Sequence, residues 1–302
     1  MGRRHTFRIS AGVIPAENAG DESAVPNFWK PRFLAWLVLC ACVLVPAQTR
    51  AGTIVYSTDF ESLSVGSKLL GQDGWSTAIP AFLNPDAAKI TDDAARTGSQ
   101  SLKVLGSDLA SSGGITSPYE AVGSYRRPVS FNAAANGYPK VRLSADVRLD
   151  GGQFASGDFA SASLAARSGI ASVGEIALSS DGRVYGYDGI AGGPLFTSGP
   201  VSLSDWHNLA LEVDFLNNVT RFFLNGGLLG TFNYAASNTS DVLLRGALVA
   251  YARPDSGDFR RSDATYRYDN FTISAVPEPG SFLILSGIAA AVAAVRLRRN
   301  SR

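Results

Sequence analysis

Trp206-His207-Asn208-Leu209-Ala210-Leu211-Glu212-Val213-Asp214-Phe215, closed by Asn217-Asn218 and answered by Val219-Thr220-Arg221-Phe222-Phe223-Leu224, decides the fold class of this chain. Both arms are rich in β-branched, aromatic and leucine residues, which suit a half-buried pleated surface. The Asn-Asn pair between them suits a tight hairpin turn, because asparagine tolerates positive φ. Asn225-Gly226-Gly227 turns the chain once more into residues 228–232. Three successive antiparallel strands are therefore predicted over residues 206–232.

The pattern extends outward from this hairpin. Strands are predicted at residues 53–60, 101–105, 141–149, 161–167, 173–178, 183–187, 242–251 and 265–273, punctuated by Gly, Asn, Asp and Ser. Ser180-Asp181-Gly182 precedes the basic and aromatic strand 183–187 and predicts a hairpin with Gly182 at positive φ. No sustained 3.6-residue period appears, which leaves an all-β chain. About a dozen short strands at this spacing predict a two-sheet antiparallel sandwich occupying residues 52–275 as one domain.

Charge and cysteine usage narrow the function classes. Residues 52–275 hold 17 Lys/Arg and 22 Asp/Glu, a net of about −5. No basic cluster interleaved with aromatics stands out, so nucleic acid is not an expected partner. Cys40 and Cys42 both precede this region, which leaves it without a disulfide, a cysteine nucleophile or a cysteine metal site. Its one histidine, His207, supports neither a nucleophilic triad nor a histidine-rich metal centre, and reads as a strand-edge residue.

Several segments resemble the concanavalin A-like, laminin-G-like jelly roll. Asp59-Phe60-Glu61 with Gly71-Gln72-Asp73-Gly74-Trp75 is similar to its opening, and Thr97-Gly98-Ser99-Gln100-Ser101-Leu102 to the turn into an early strand. Trp206 to Asp214 with Phe223-Leu224-Asn225-Gly226 is similar to its signature hairpin, and Tyr268-Asp269-Asn270-Phe271 to its last strand. The resemblance implies a structural Ca²⁺ held near the first and last strands, with Asp59 and Asp269 as its ligands. Asp150-Gly151-Gly152 and Asp255-Ser256-Gly257-Asp258 read as turns.

Glu212-Val213-Asp214 resembles the start of the E-x-D-x-(x)-E run of laminarinase-type hydrolases built on this fold. Leu216 and Asn217 stand where the final glutamate would be, so the second carboxyl is missing and a non-enzymatic strand is expected. Carbohydrate binding uses flat aromatic faces beside convergent polar groups. Trp75, Tyr119, Tyr125, Tyr185, Tyr187, Tyr234 and Tyr251 are the candidates, and Tyr185 and Tyr187 share one face of a strand as a platform would require. A polysaccharide-cleaving enzyme and a purely structural matrix protein remain the alternatives.

The two ends carry addresses. Lys30 and Arg32 precede the apolar stretch 33–45 and the small residues of Pro46-Ala47-Gln48-Thr49-Arg50-Ala51. This is the layout of a signal peptide over residues 28–51, cut after Ala47 or, as favoured here, Ala51. Residues 1–27 read as a structureless extension or a misassigned start, and Leu39-Cys40-Ala41-Cys42 only loosely matches a lipoprotein signal. At the other end, Val276-Pro277-Glu278-Pro279-Gly280 leads into an apolar run, 281–295, and then Arg296-Leu297-Arg298-Arg299. As a helix this run is about 22 Å long, a marginal transmembrane span, with the arginines on the cytoplasmic side.

The tripartite tail, residues 276–302, resembles the PEP-CTERM sorting signal of Gram-negative bacteria. The resemblance implies that Val276, Pro277, Glu278, Pro279, Gly280, Arg296, Arg298 and Arg299 are read by an exosortase-type membrane protease. It implies transient anchoring in the inner membrane before release to the cell surface or outside, and a role linked to exopolysaccharide or biofilm matrix.

Overall fold

The computed structural model describes residues 53–77, 84, 86–109, 121–133, 135–151, 159–168, 171–188, 194–234, 242–253 and 264–277. All lie within Thr49–Leu285, one of the two compact units into which the chain divides. The expected signal segment, the apolar run 281–295, Tyr119 and Asp255 to Asp258 lie outside the described residues. No helix among the described residues is long and apolar enough to cross a membrane.

The strands are β1 (Thr53–Thr58), β2 (Ser76–Thr77), β3 (Ala88–Thr91), β4 (Ser101–Leu105), β5 (Ala121–Asn132), β6 (Lys140–Asp150), β7 (Phe159–Ser168) and β8 (Ala171–Ser179). They continue as β9 (Arg183–Tyr187), β10 (Phe196–Thr197), β11 (His207–Asp214), β12 (Val219–Leu224), β13 (Gly227–Asn233), β14 (Val242–Arg253) and β15 (Thr265–Val276). Among the described residues they form two antiparallel sheets, packed as a jelly-roll sandwich. An eight-stranded sheet runs β13-β12-β11-β6-β15-β4-β3, with β1 added along β15, and a seven-stranded sheet runs β10-β9-β8-β7-β14-β5-β2. β15 is shared along its length: Thr265 to Tyr268 pair with β4, and Phe271 to Ala275 pair with β1.

Side-chain alternation builds the core. In β6, Val141, Leu143, Ala145, Val147 and Leu149 are buried while Arg142, Ser144, Asp146 and Arg148 face out. Each such aliphatic side chain contributes about 1.5–3 kcal/mol when fully buried, so a one-residue slip in register would be prohibitive. The predicted hairpins form as the turn chemistry requires, with Asn218 at φ 53, Asn225 at φ 50 and Gly182 at φ 74.

The strand over 121–132 was not expected. Gly123 and Pro128 interrupt its pattern, and its register against β14 shifts between Leu243 and Arg245, close to Ser130 at φ 48. That irregularity erases the two-residue period from the sequence while leaving the pairing intact. β2, β3 and β10, at two to four residues, are too short to show a period.

The opening motifs are core and latch. Trp75 is buried against Phe271, with ring centroids 5.2 Å apart, and its indole N–H donates to the Tyr56 hydroxyl at 3.0 Å. Glu61 accepts from the backbone N–H groups of Ser99 (2.7 Å) and Gln100 (2.6 Å) and from the Ser99 hydroxyl, tying the first motif to the second.

The two sheets are joined by direct polar contacts as well as by apolar packing. Tyr266 and Tyr268 of β15 point across the core, and their hydroxyls donate to the backbone carbonyls of Tyr251 (2.8 Å) and Val249 (2.6 Å) in β14. Both rings are fully buried. Tyr268→Phe removes this donor from Val249 without emptying the ring's site. The expected cost is about 1 kcal/mol, seen as a lower urea midpoint at an unchanged m value.

Candidate functional site

Strands β9, β8, β7, β14 and β5 lie side by side, and their registers set outward-facing residues in rows. One row runs Tyr187, Glu175, Ala165, Ala247, Arg126; the next runs Tyr185, Ala177, Ser163, Val249, Ser124. Beyond the first row, Arg167 and Arg245 sit directly opposite each other on β7 and β14.

Three glycines establish which way these residues face. A Cβ on Gly246 would lie 2.8 Å from the Phe271 ring, one on Gly174 2.9 Å from Thr220 Cγ2, and one on Gly186 3.0 Å from the Phe222 ring. These three positions therefore point into the core. Their neighbours Arg245, Glu175, Tyr185 and Tyr187 point away from it, since adjacent strand residues alternate.

The result is a groove with a floor of small side chains. Ser161, Ser163, Ala165, Ala177 and Ala247 are buried although they face away from the core. Tyr185 and Tyr187 stand on the β9 side, with ring centroids 6.2 Å apart and planes inclined at 43°. The Tyr185 hydroxyl donates to the Asp181 carboxylate, which fixes that ring and raises its pKa. From β9 to β5 is four strand spacings, or about 19 Å.

The electrostatics of this face are unusual for the molecule. Burial, followed by the charges of Arg245 and Arg167, lowers the Arg126 pKa to about 10. Burial and Arg167 act the same way on Arg245. Glu175 accepts from the Ser163 hydroxyl at 2.7 Å. Burial nevertheless raises its carboxyl pKa, against the opposing effects of Ser163 and Arg167. Burial, followed by the charge of Glu175, pushes Tyr187 up to about 12.

Of the other aromatic candidates, Tyr251 is partly exposed and lies along the groove beside Ser161. Trp75, Tyr125 and Tyr234 offer no platform, because each is buried. Tyr125 faces inward on β5, and the Tyr234 hydroxyl donates to the Asp214 carbonyl at 3.2 Å. Groove residues Arg126, Arg167, Arg245 and Glu175 carry no motif; a glycine neighbour hints at the outward facing of Glu175 and Arg245, and nothing local does so for Arg126 and Arg167.

The remaining candidates serve the eight-stranded sheet. Asp269 is buried, and its carboxylate accepts from the backbone N–H groups of Arg96 (2.8 Å), Thr97 (3.1 Å) and Asn270 (2.7 Å). Asp59 is exposed and accepts from the backbone N–H of Glu61. β1 and β15 do pair, which brings the two aspartates to one region, but among the described residues no group of three or more His, Cys, Asp or Glu is assembled. Glu212 pairs with Arg221 at 3.1 Å, and the buried Asp214 lies 3.7 Å from Lys140 and 3.8 Å from Arg221. His207 is the first residue of β11, at the strand end as expected, and is buried with its Nε2 2.7 Å from the Ser202 carbonyl.

Residues 275–299 match the PEP-CTERM protein-sorting motif. The motif marks the chain for export and membrane-anchored sorting, and for processing by an exosortase, a membrane protein. No curated protein matches the chain. Among solved structures, the endo-beta-1,4-glucuronan lyase of the fungus Trichoderma reesei aligns at 13% identity and a TM-score of 0.46, over 74% of this chain and 96% of that one. A carbohydrate esterase from Shiga toxin-encoding bacteriophage phi24B aligns at 15% and 0.48, over 76% and 100%. The Emp46p carbohydrate recognition domain aligns at 8% and 0.46, over 76% and 100%. The assignment of a two-sheet sandwich stands on the strand pairings themselves.

Glu175 gives a test of the groove's electrostatics. Its folded-state pKa lies above the ordinary 4.5, so the folded protein holds this proton more tightly than the unfolded chain. Stability from this group is then full below pH 4.5 and falls as pH rises through the raised value. Glu175→Gln escapes that loss. Its thermal midpoint should exceed that of the unaltered protein at pH 7, and the difference should close at pH 4.

Proposed function

We propose that this chain is a surface-displayed, non-enzymatic protein of a Gram-negative bacterium that binds a carbohydrate chain of the extracellular matrix in the groove of its seven-stranded sheet. The observation that carries this reading is the Tyr185–Tyr187 pair, two rings 6.2 Å apart at the edge of a floor of small residues. Sugar rings stack on such aromatic faces while neighbouring polar groups fix their orientation. Among the described residues Glu175 is the carboxylate on the groove floor and Asp181 is engaged by the Tyr185 hydroxyl, whereas the two-carboxylate hydrolysis of glycosidic bonds needs a closely spaced pair.

The routing agrees with this role. Residues 28–51 direct export across the inner membrane, residues 52–275 fold outside it, and the run 281–295 holds the protein there until an exosortase acts on the 276–302 tail. Val276 is the last residue of β15, so the sorting motif begins where the sheet ends.

A glycan array probed with the purified full chain, with and without calcium, tests the binding. Saturable binding that falls at least about tenfold in Tyr185→Ala and Tyr187→Ala is the expected result, the loss of one stacking contact of about 1.4 kcal/mol. Mass analysis of the bound sugars should show intact chains; shortened products would instead identify a polysaccharide-cleaving enzyme.

A further inference from the structure

Three of the four arginines in the strands of the eight-stranded sheet are ion-paired, and the fourth, Arg142, stacks over Phe223. On the eight-stranded sheet Arg148 pairs with Asp150, Arg221 with Glu212, and Arg267 with both Asp93 and Asp150. Arg127, one residue from the groove, pairs with Asp73 at 3.6 Å and stacks 4.2 Å over the Tyr56 ring. Arg167 and Arg245 form no ion pair among the described residues, and the Arg245 Nε is buried without a hydrogen-bond partner there. They face each other across neighbouring strands, with Arg126 close enough to feel both. A domain with 22 acidic residues and 17 basic ones over residues 52–275 has carboxylates to spare, so leaving two half-buried guanidinium groups unmatched is a local cost that folding does not require.

Resting on the carbohydrate reading above, we infer that the groove is selective for an acidic polysaccharide, whose carboxylates or sulfates are received by Arg167 and Arg245 with Arg126 beside them while its sugar rings reach the Tyr185–Tyr187 pair. Guanidinium groups present a planar fork that meets an oxyanion through two parallel hydrogen bonds, and facing arginines on β7 and β14 offer two such forks at one end of the floor. The bound anion relieves the repulsion among the three cations. Glu175 bounds the site on the tyrosine side: it stands opposite Tyr187 and near Arg167, and its ionised form disfavours an anion there, which directs the acidic group toward β14. The geometry therefore separates two tasks along one groove, stacking at β9 and charge recognition at β7 and β14.

The test measures binding of the full chain to polygalacturonate, dextran sulfate and neutral dextran across a salt series. At least one acidic polymer should bind tenfold or more tighter than dextran, with affinity falling steeply as salt rises. Arg167→Gln and Arg245→Gln should each weaken it about tenfold, while Arg142→Gln on the opposite sheet leaves it unchanged. Comparison of the carboxylated with the sulfated polymer identifies the acidic group preferred. Relief of repulsion gives a second readout that needs no ligand: Arg245→Gln should melt at or above the temperature of the unaltered protein. Equal binding of neutral and acidic polymers, lost in Tyr187→Ala but not in Arg245→Gln, would overturn the charge selectivity and leave the carbohydrate reading standing. No binding to any of the three, together with silence on the glycan array, would overturn both.

Discussion

Two hydroxyl groups on the last long strand hold the sandwich in the arrangement on which the groove depends. Tyr266 and Tyr268 leave β15, cross the core and donate to carbonyls of β14 at Tyr251 and Val249. β15 is itself pinned by β6 over most of its length and by β4 and β1 on its other side. These hydrogen bonds are made in a water-free core, where an unpaired tyrosine hydroxyl would carry a desolvation penalty, so they specify which β14 residues stand opposite β15. β14 in turn carries Arg245, Ala247, Val249 and Tyr251 on its outward face. The position of the groove is thus tied to the tail strand that leads into the sorting motif.

Close approach of the sheets follows from the same region. Gly174, Gly186 and Gly246 put no side chain between the layers where Phe222 and Phe271 lie against the seven-stranded sheet. At these positions the inner faces of β8, β9 and β14 are met by aromatics from the opposite sheet. The outer face of the sheet carries small serines and alanines, themselves buried, between the tyrosines and the arginines. Strain in the form of like charges is tolerated on this face because the core beneath it is well packed.

The fold was largely legible because burial on one face of a strand writes a two-residue period into the chain. β6, β9, β11, β12 and β13 lie close to their expected positions, and the turns at Asn217-Asn218, Asn225-Gly226 and Asp181-Gly182 follow from residues that accept positive φ. β5 was not legible, since Pro128 and a register shift break its period, and with it went Arg126. Tyr185 and Tyr187 could be paired from spacing alone, because two positions on one strand always share a face. Trp75 and Tyr125 looked equally suitable as sugar platforms, and only packing shows them committed to the core.

The sequence by itself determined the address and the architecture. The tail motif is read as a linear string of residues, and strand alternation is a local consequence of which side chains avoid water. The arginine and tyrosine groove belongs to the tertiary structure. Arg126, Glu175, Arg167 and Arg245 come from four different strands, and only the pairing registers of β5, β14, β7 and β8 bring them together. Those registers are set by the fit of two inner faces across the core, a condition of the whole sandwich that no short stretch of the chain records.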